Sequence, residues 1–224
     1  VSEVPDTVVL ARGNEAAWEE ACRRAAEVLS GGGVVALPTD TVYGLAALAS
    51  DQGACERIFA LKGRPPETSL PVLVAGVEQA SSVGVVDSRF ERLAGRFWPG
   101  PLTIVTERRG SVRLFLGSDE ATVGLRHPAE PVVEALASLV GPLAVTSANR
   151  HGEPPRTSAE GMAAALYSPP DLVLDGGERN GAVSTVVGVA AGEPVRCFRE
   201  GAIPWRELLA VVGEQAADVQ VDGA

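Results

Sequence analysis

Leu37-Pro38-Thr39-Asp40-Thr41-Val42-Tyr43-Gly44-Leu45 follows a triple glycine, Gly31 to Gly33, and a short apolar run over 34–37. That run is long enough for a buried strand and too short for a helix. Pro38 removes a backbone donor and ends the ladder. Thr39, Asp40 and Thr41 then place three short polar side chains just past the strand. Taken alone, the stretch reads as a strand, a turn and a helix cap, because Thr and Asp serve turns and caps well. In an open α/β sheet, however, ligands bind beyond the carboxyl ends of strands. Which reading holds depends on the rest of the chain.

Upstream, 7–10 reads as an edge strand. Asn14 caps a helix through Ser30, with Trp18, Ala21, Cys22, Ala25 and Leu29 on one face. Glu19–Arg23 and Glu20–Arg24 are spaced as i,i+4 pairs. Downstream, a helix over 51–62 buries Cys55, Ile58 and Phe59 and ends in Lys-Gly-Arg-Pro-Pro, residues 62–66. Lys62 has a structural explanation, since a cation at a helix C-terminus offsets the macrodipole. Arg64, on the following loop, reads with Lys62 as an anion clamp.

Further strands are expected over 70–74, 102–106, 112–116, 121–126, 143–145, 172–174, 184–189 and 195–198. Helices are expected over 87–98, 130–140 and 204–212, with a short one capped by Thr157 or Ser158 and running to Leu166. Strands and helices alternate only in part. The expected fold is a single α/β domain, residues 1–212: a twisted mixed parallel and antiparallel sheet flanked by helices, with a concave ligand site. Residues 213–224 read as an acidic, disordered tail.

Composition narrows the function. The chain has 224 residues, 46% of them hydrophobic, and no apolar run of the length a membrane span needs. Its 19 basic and 29 acidic residues give a net charge of −10, against a stable, sequence-independent grip on nucleic acid. The basic residues cluster around Arg57, Lys62 and Arg64 and again at Arg108, Arg109, Arg113 and Arg126, which suits a small phosphate-bearing ligand. Three cysteines without C-x-x-C spacing read as reduced thiols in the cytoplasm.

Polar groups end several of the expected strands: Thr39 to Thr41, Arg126, Ser147 to Asn149, and Arg199. Brought together, they would form a cationic, hydroxyl-rich site for a nucleotide triphosphate and a small carboxylate. Two histidines and no Cys/His cluster argue against zinc, and no P-loop, G-x-G-x-x-G or G-x-S-x-G motif is present. What remains is catalysis by positioning and charge neutralisation, as in nucleotidyl transfer. A magnesium ion would come with ATP and take few protein ligands, with no dedicated metal site.

The motifs in order are L-P-T-D-T-V-Y-G-L, K-G-R-P, W-P-G-P-L-T, V-G-L-R, T-S-A-N, S-T-V and a late R-x-G. Together they resemble the YrdC-like threonylcarbamoyl-AMP synthases over roughly 14–209, in their short, single-domain form. The resemblance implies formation of L-threonylcarbamoyladenylate and pyrophosphate from L-threonine, bicarbonate and ATP. The product would pass to a tRNA threonylcarbamoyl transferase complex. It implies catalytic Lys62 and Arg64, and ATP contacts from these two with Thr68, Thr122, Ser147, Asn149, Pro155 and Arg199. It places L-threonine against Thr39, Leu73, Arg126 and Val145, with Arg126 on the carboxylate.

Ser69, His151 and Pro155 depart from the family pattern, which bears on the loop over 150–158, expected to close over ATP. Replacing Lys62 and Arg64 together is expected to abolish transfer without unfolding the chain. The alternatives are a related carbamoyl-adenylate enzyme with another acceptor, and a non-catalytic nucleotide- or RNA-binding paralogue.

Overall fold

The computed structural model describes residues 5–11, 13–179 and 181–213; of the tail expected over 213–224, Gly213 is the C-cap of the last helix and the remainder lies outside the described residues. β1 (Asp6–Val9) and α1 (Glu15–Ser30) lead to a hairpin of β2 (Val35–Pro38) and β3 (Tyr43–Leu48). Then come α2 (Gln52–Lys62), β4 (Val72–Leu73), α3 (Val77–Val83), α4 (Ser88–Phe97), β5 (Leu102–Glu107) and β6 (Thr122–Arg126). α5 (Pro131–Val140), β7 (Leu143–Ser147), a 3₁₀ turn at Ala163–Ala165, β8 (Leu172–Asp175), β9 (Thr185–Gly188), β10 (Arg196–Arg199) and α6 (Trp205–Val212) complete the described chain.

Asn14 caps α1 as expected, and Asp51 and Asp87, expected as the first residues of their helices, are the caps of α2 and α4: all three side chains accept main-chain N–H groups in the first turns. Gly63 closes α2 in the left-handed conformation, at φ 60°, where a residue with a Cβ is strained.

All ten strands join one sheet in the order β1-β8-β2-β3-β7-β4-β6-β5-β9-β10. Parallel pairs (β1/β8, β2/β8, β4/β6, β5/β9) mix with antiparallel ones (β2/β3, β3/β7, β4/β7, β5/β6, β9/β10). Strand alternation sends Tyr43, Leu45, Val72, Ile104, Leu125 and Ala144 into a core with α2, α3, α4 and α6. Leu37, Ala46, Leu73, Leu143 and Val145 point to the opposite face, where α1 and α5 supply Ala25, Leu29, Val132 and Leu136. Those two helices pack over β2, β3 and β8. The neighbouring part of the same face, across β7, β4, β6 and β5, carries the cleft described below.

Several expectations are corrected. The decisive stretch is the tip of a hairpin and not a strand followed by a helix cap: Pro38 pairs with Tyr43, and β3 continues through the small residues after Leu45. α3 is an additional helix. Residues 112–116 form no strand. Phe115 N–H donates to Ala49 O and Leu70 N–H to Leu116 O, single bonds that do not extend to a ladder. The helix expected up to Leu166 is reduced to the 3₁₀ turn. On α1, Arg23 pairs with Glu20 and Glu27, and Arg24 reaches Asp6 on β1.

Candidate active site

The cleft has a volume of about 260 Å³. Gly44, Leu73, Thr103, Arg126, Val145 and Ser147 form its floor, all on the sheet face opposite Tyr43, Val72, Ile104, Leu125 and Ala144. The hairpin tip supplies Thr39, Thr41 and Val42; Asn149, Glu153 and Pro155 come from the segment after β7; Arg64, Ser184 and Arg199 complete the polar lining. The expected gathering of Thr39, Arg64, Arg126, Ser147, Asn149 and Arg199 is therefore present, with Leu73, Val145 and Pro155 beside them.

The site does not lie beyond one edge of the sheet. Leu73 pairs with both Arg126 and Leu143, while Ser147 pairs with Gly44 at the other end of β7. The carboxyl ends of β6 and β7 thus lie at opposite edges. The cleft runs across the face between them, a consequence of the antiparallel β4/β7 pairing that sequence alone does not disclose.

Each cation is held differently. Arg126, nearly excluded from solvent, donates from Nε to Gly100 O at 3.1 Å, from Nη1 to Thr41 Oγ1 at 3.2 Å, and from Nη2 to Asp40 Oδ1. Gly100 belongs to the W-P-G-P-L-T turn, whose Trp98–Pro99 bond is cis. Arg64 donates from Nε to Thr68 O and from Nη2 to Ser69 O, each at 3.0 Å. Arg199 donates to Ser184 O and Oγ. Burial lowers the pKa of all three guanidiniums, most directly offset at Arg126 by Asp40. The acceptors of Arg64 and Arg199 are neutral oxygens, and Glu153 is the one carboxylate among the lining residues.

Lys62 lies beneath the cleft and is not part of its wall. It is 2% exposed, and its ammonium donates to Ser147 O, to Asn149 O at 2.6 Å and to Asn149 Oδ1 at 3.2 Å. Burial, and then the charge of Arg64, push its pKa down to about 8. Asn149 Nδ2 in turn donates to the main-chain oxygens of Arg150 and Glu153. The K-x-R and S-x-N motifs are thus one bonded unit.

The Thr39 hydroxyl is engaged within its own turn. It donates to Val42 O at 2.7 Å and accepts from the N–H groups of Thr41 and Val42. With its proton so committed, the 2.9 Å contact to Thr41 Oγ1 has Thr41 as donor. Thr39 therefore offers the cleft its methyl group and shape.

Thr68 and Thr122 are not brought to the cleft wall. Thr68 Oγ1 donates to Pro65 O at 2.6 Å, and its main-chain oxygen holds Arg64. Thr122 shares a face of β6 with Arg126 but sits at the far end, bonded through its hydroxyl to Asp119 and lining a separate groove with Phe198. Ser69 contributes its main-chain oxygen, and His151 its N–H to Lys62 O, so both departures from the family pattern leave backbone contacts standing. Asp40 belongs to the polar stretch Thr39 to Thr41 expected at the site, though without a role of its own. Thr103 and Ser184 lie in the W-P-G-P-L-T and S-T-V motifs but were not assigned to the site, and Glu153 carried no local signal.

The late motifs interlock. Thr185 Oγ1 donates to Ile203 O and accepts from the N–H groups of Gly201 and Ile203. A Cβ on Gly201 would stand 2.2 Å from Val183 O. This close approach fixes Arg199 beside Ser184.

Fold and cleft define a class: an open mixed-sheet α/β protein with a cationic, hydroxyl-lined site for a small anionic ligand. Residues 27–201 match the model of the Sua5/YciO/YrdC family, described as telomere recombination, and the chain belongs to that family. It is 40% identical over 195 residues to a Pyrococcus abyssi threonylcarbamoyl-AMP synthase, an alignment covering 86% of this chain and 57% of that protein. It is 35% identical to a putative threonylcarbamoyl-AMP synthase of Mycobacterium tuberculosis, covering 85% of this chain and 88% of that one.

Among solved structures, P. abyssi Sua5 complexed with L-threonine superposes with a TM-score of 0.84 at 35% identity, over 98% of this chain and 66% of that one. E. coli YciO superposes with a TM-score of 0.76 at 25% identity, over 90% and 96%. The chain thus spans a little over half of the P. abyssi relative's length. Among the described residues, no helix is long and apolar enough to cross a membrane.

Proposed function

We propose that this chain is an L-threonylcarbamoyladenylate synthase, joining L-threonine, bicarbonate and ATP with release of pyrophosphate. The observation that carries the reading is the charge pattern of the cleft. Among the described residues, Arg64 and Arg199 bring positive charge bonded to neutral oxygens, beside an Arg126 whose charge is offset by Asp40. A polyphosphate suits the first pair and a single carboxylate suits the last. The relatives' names, and the threonine complex of P. abyssi Sua5, support the same assignment.

In this reading Lys62, Arg64, Ser147, Asn149, Pro155 and Arg199 form the nucleotide side, with Thr68 supporting Arg64 and Thr122 at the far end of the open face. Thr39, Leu73, Val145 and Arg126 receive L-threonine. Bicarbonate takes up a proton and loses water to give CO₂, and the threonine amine adds to its carbon and loses a proton, giving the carbamate. A carbamate oxygen then attacks the α-phosphorus, the bond to the bridging oxygen of the β-phosphate breaks, and pyrophosphate leaves. No enzyme nucleophile is required: the cations offset charge growing on the leaving group and the floor holds the two substrates in line. Magnesium bound to ATP would supply further charge neutralisation, and Glu153 is the lining carboxylate able to meet it.

We further place the protein in the cytoplasm, supported by three buried, unpaired cysteines, with a tRNA threonylcarbamoyl transferase complex receiving its product. The net charge of −10 supports handing on a small adenylate over holding tRNA. Pyrophosphate release from ATP, with L-threonine and bicarbonate omitted in turn, tests the reading. Release should need both; release indifferent to threonine would replace the acceptor, and none at all would leave a binding protein.

A further inference from the structure

We propose that Asp40 is the positioning residue of the carboxylate subsite, setting the orientation and charge of Arg126 without touching the ligand. The inference rests on the functional reading above.

An arginine carries five N–H donors in a planar fork. In Arg126 one donor on each nitrogen is taken, by Gly100 O, Thr41 Oγ1 and Asp40 Oδ1. One N–H remains on each terminal nitrogen, the number a carboxylate accepts in a two-point pair. Of the three tethers only Asp40 is charged. Its side chain is 13% exposed and does not line the cleft. Its main chain is covered by the segment after Asp175, where Gly181 N–H donates to Thr41 O and a Cβ on Gly181 would meet Asp40 O at 2.8 Å. A carboxylate so placed acts on the guanidinium from behind.

Its charge has a second effect. Arg199 is the other cation facing Arg126, so without Asp40 two like charges would share a nearly dry site. The guanidinium would then turn toward solvent or bind any anion indiscriminately, ATP phosphates included. With Asp40 present, Arg126 is a directed donor of near-neutral net charge, and Arg64 and Arg199 are left as the phosphate-seeking pair. Asp40 thereby separates the two subsites.

The threonine chain adds to this. The order Arg126 Nη1–H to Thr41 Oγ1, Thr41 O–H to Thr39 Oγ1, and Thr39 O–H to Val42 O gives every hydroxyl proton one destination. The hairpin tip is therefore a mould for the guanidinium, with Asp40 its charged wall.

The test is Asp40→Asn, which keeps the shape and one acceptor and removes the charge, with Asp40→Ala as the stronger variant. The unaltered protein is first titrated with L-threonine and with ATP. Asp40→Asn should raise KM for L-threonine about tenfold or more, lower turnover at saturating threonine far less, and leave ATP affinity the same or tighter. Asp40→Ala should extend the threonine effect, and a crystal structure of that variant should show Arg126 turned from its present partners. Threonine binding by the unaltered protein with an unchanged KM in Asp40→Asn overturns the inference alone. So does a parallel loss of ATP and threonine affinity, the mark of general damage. An unaltered protein that binds no threonine overturns both readings.

Discussion

The ammonium of Lys62 stands 2.6 Å from the main-chain oxygen of Asn149 and 3.2 Å from its Oδ1, so α2 and the segment after β7 share one buried cation. Lys62→Ala would leave Asn149 O and Oδ1 without the donor they share, while Ser147 O keeps the Asn149 N–H at 3.1 Å; the cost is roughly 1–3 kcal/mol. The sequence-level expectation of a folded but inactive Lys62/Arg64 double variant is revised accordingly. Chemical denaturation of Lys62→Ala should show the loss, and its nucleotide affinity should fall because Asn149 is released. Lys62→Arg should not restore binding, since a planar guanidinium cannot reproduce three converging contacts from one nitrogen.

Arg64 should behave differently. It lines the cleft and is held by the main-chain oxygens of Thr68 and Ser69. Arg64→Gln should lower ATP affinity by about tenfold or more, the scale of one charge-assisted phosphate contact. Unfolding free energy should fall by less than in Lys62→Ala, because the bereft oxygens belong to Thr68 and Ser69, which are only half-buried. Equal destabilisation of the two variants would contradict this division of labour.

How much of this was legible in the sequence varies by residue. Helix starts were readable, because Asn14, Asp51 and Asp87 act within three residues of themselves. The strand after Pro38 was not. Tyr43–Leu48 has its two faces buried in two different cores, so it shows no polar alternation, and its small residues carry little β signal. Residues 112–116 misled for the opposite reason: apolar content signals burial, and Leu114 and Leu116 are buried without a strand.

Lys62 was assignable to a helix C-terminus or to an anion clamp. Neither reading included the carbonyls that reach it from 85 and 87 residues away. Local rules stop where function depends on such distant backbone.

Lys62 also gives a pH signature. Its pKa is lowered to about 8 from the 10.5 of an exposed lysine, through burial and then Arg64. Between these values the unfolded chain binds the extra proton, so this group's contribution to stability rises with pH from about 8 and levels off near 10.5. Nucleotide affinity should move the other way, falling as the ammonium is lost above about 8. A bound polyphosphate favours the charged form, so binding at pH 8.5 should take up protons. Calorimetry in buffers of different ionisation enthalpy measures that uptake, which should vanish in Lys62→Met.

Gly44 tests whether the cleft floor is shaped by the absence of a side chain. A Cβ there would lie 2.7 Å from Val145 Cγ1 and 3.3 Å from Thr146 O. The β3/β7 pairing, which joins Gly44 to Ser147, holds the backbone, so the methyl group of Val145 would have to give way into the cleft. Gly44→Ala should therefore destabilise by about 1–3 kcal/mol, the scale of an overpacked core, and weaken L-threonine binding. Gly124 on β6 lies on the same face, but its Cβ would meet Thr103 Cγ2 at 3.2 Å and nothing else within 3.6 Å. Gly124→Ala should cost less than Gly44→Ala in denaturation and leave threonine affinity closer to that of the unaltered chain. The reverse order would mean that Val145 yields freely, and that the floor owes its shape to something other than Gly44.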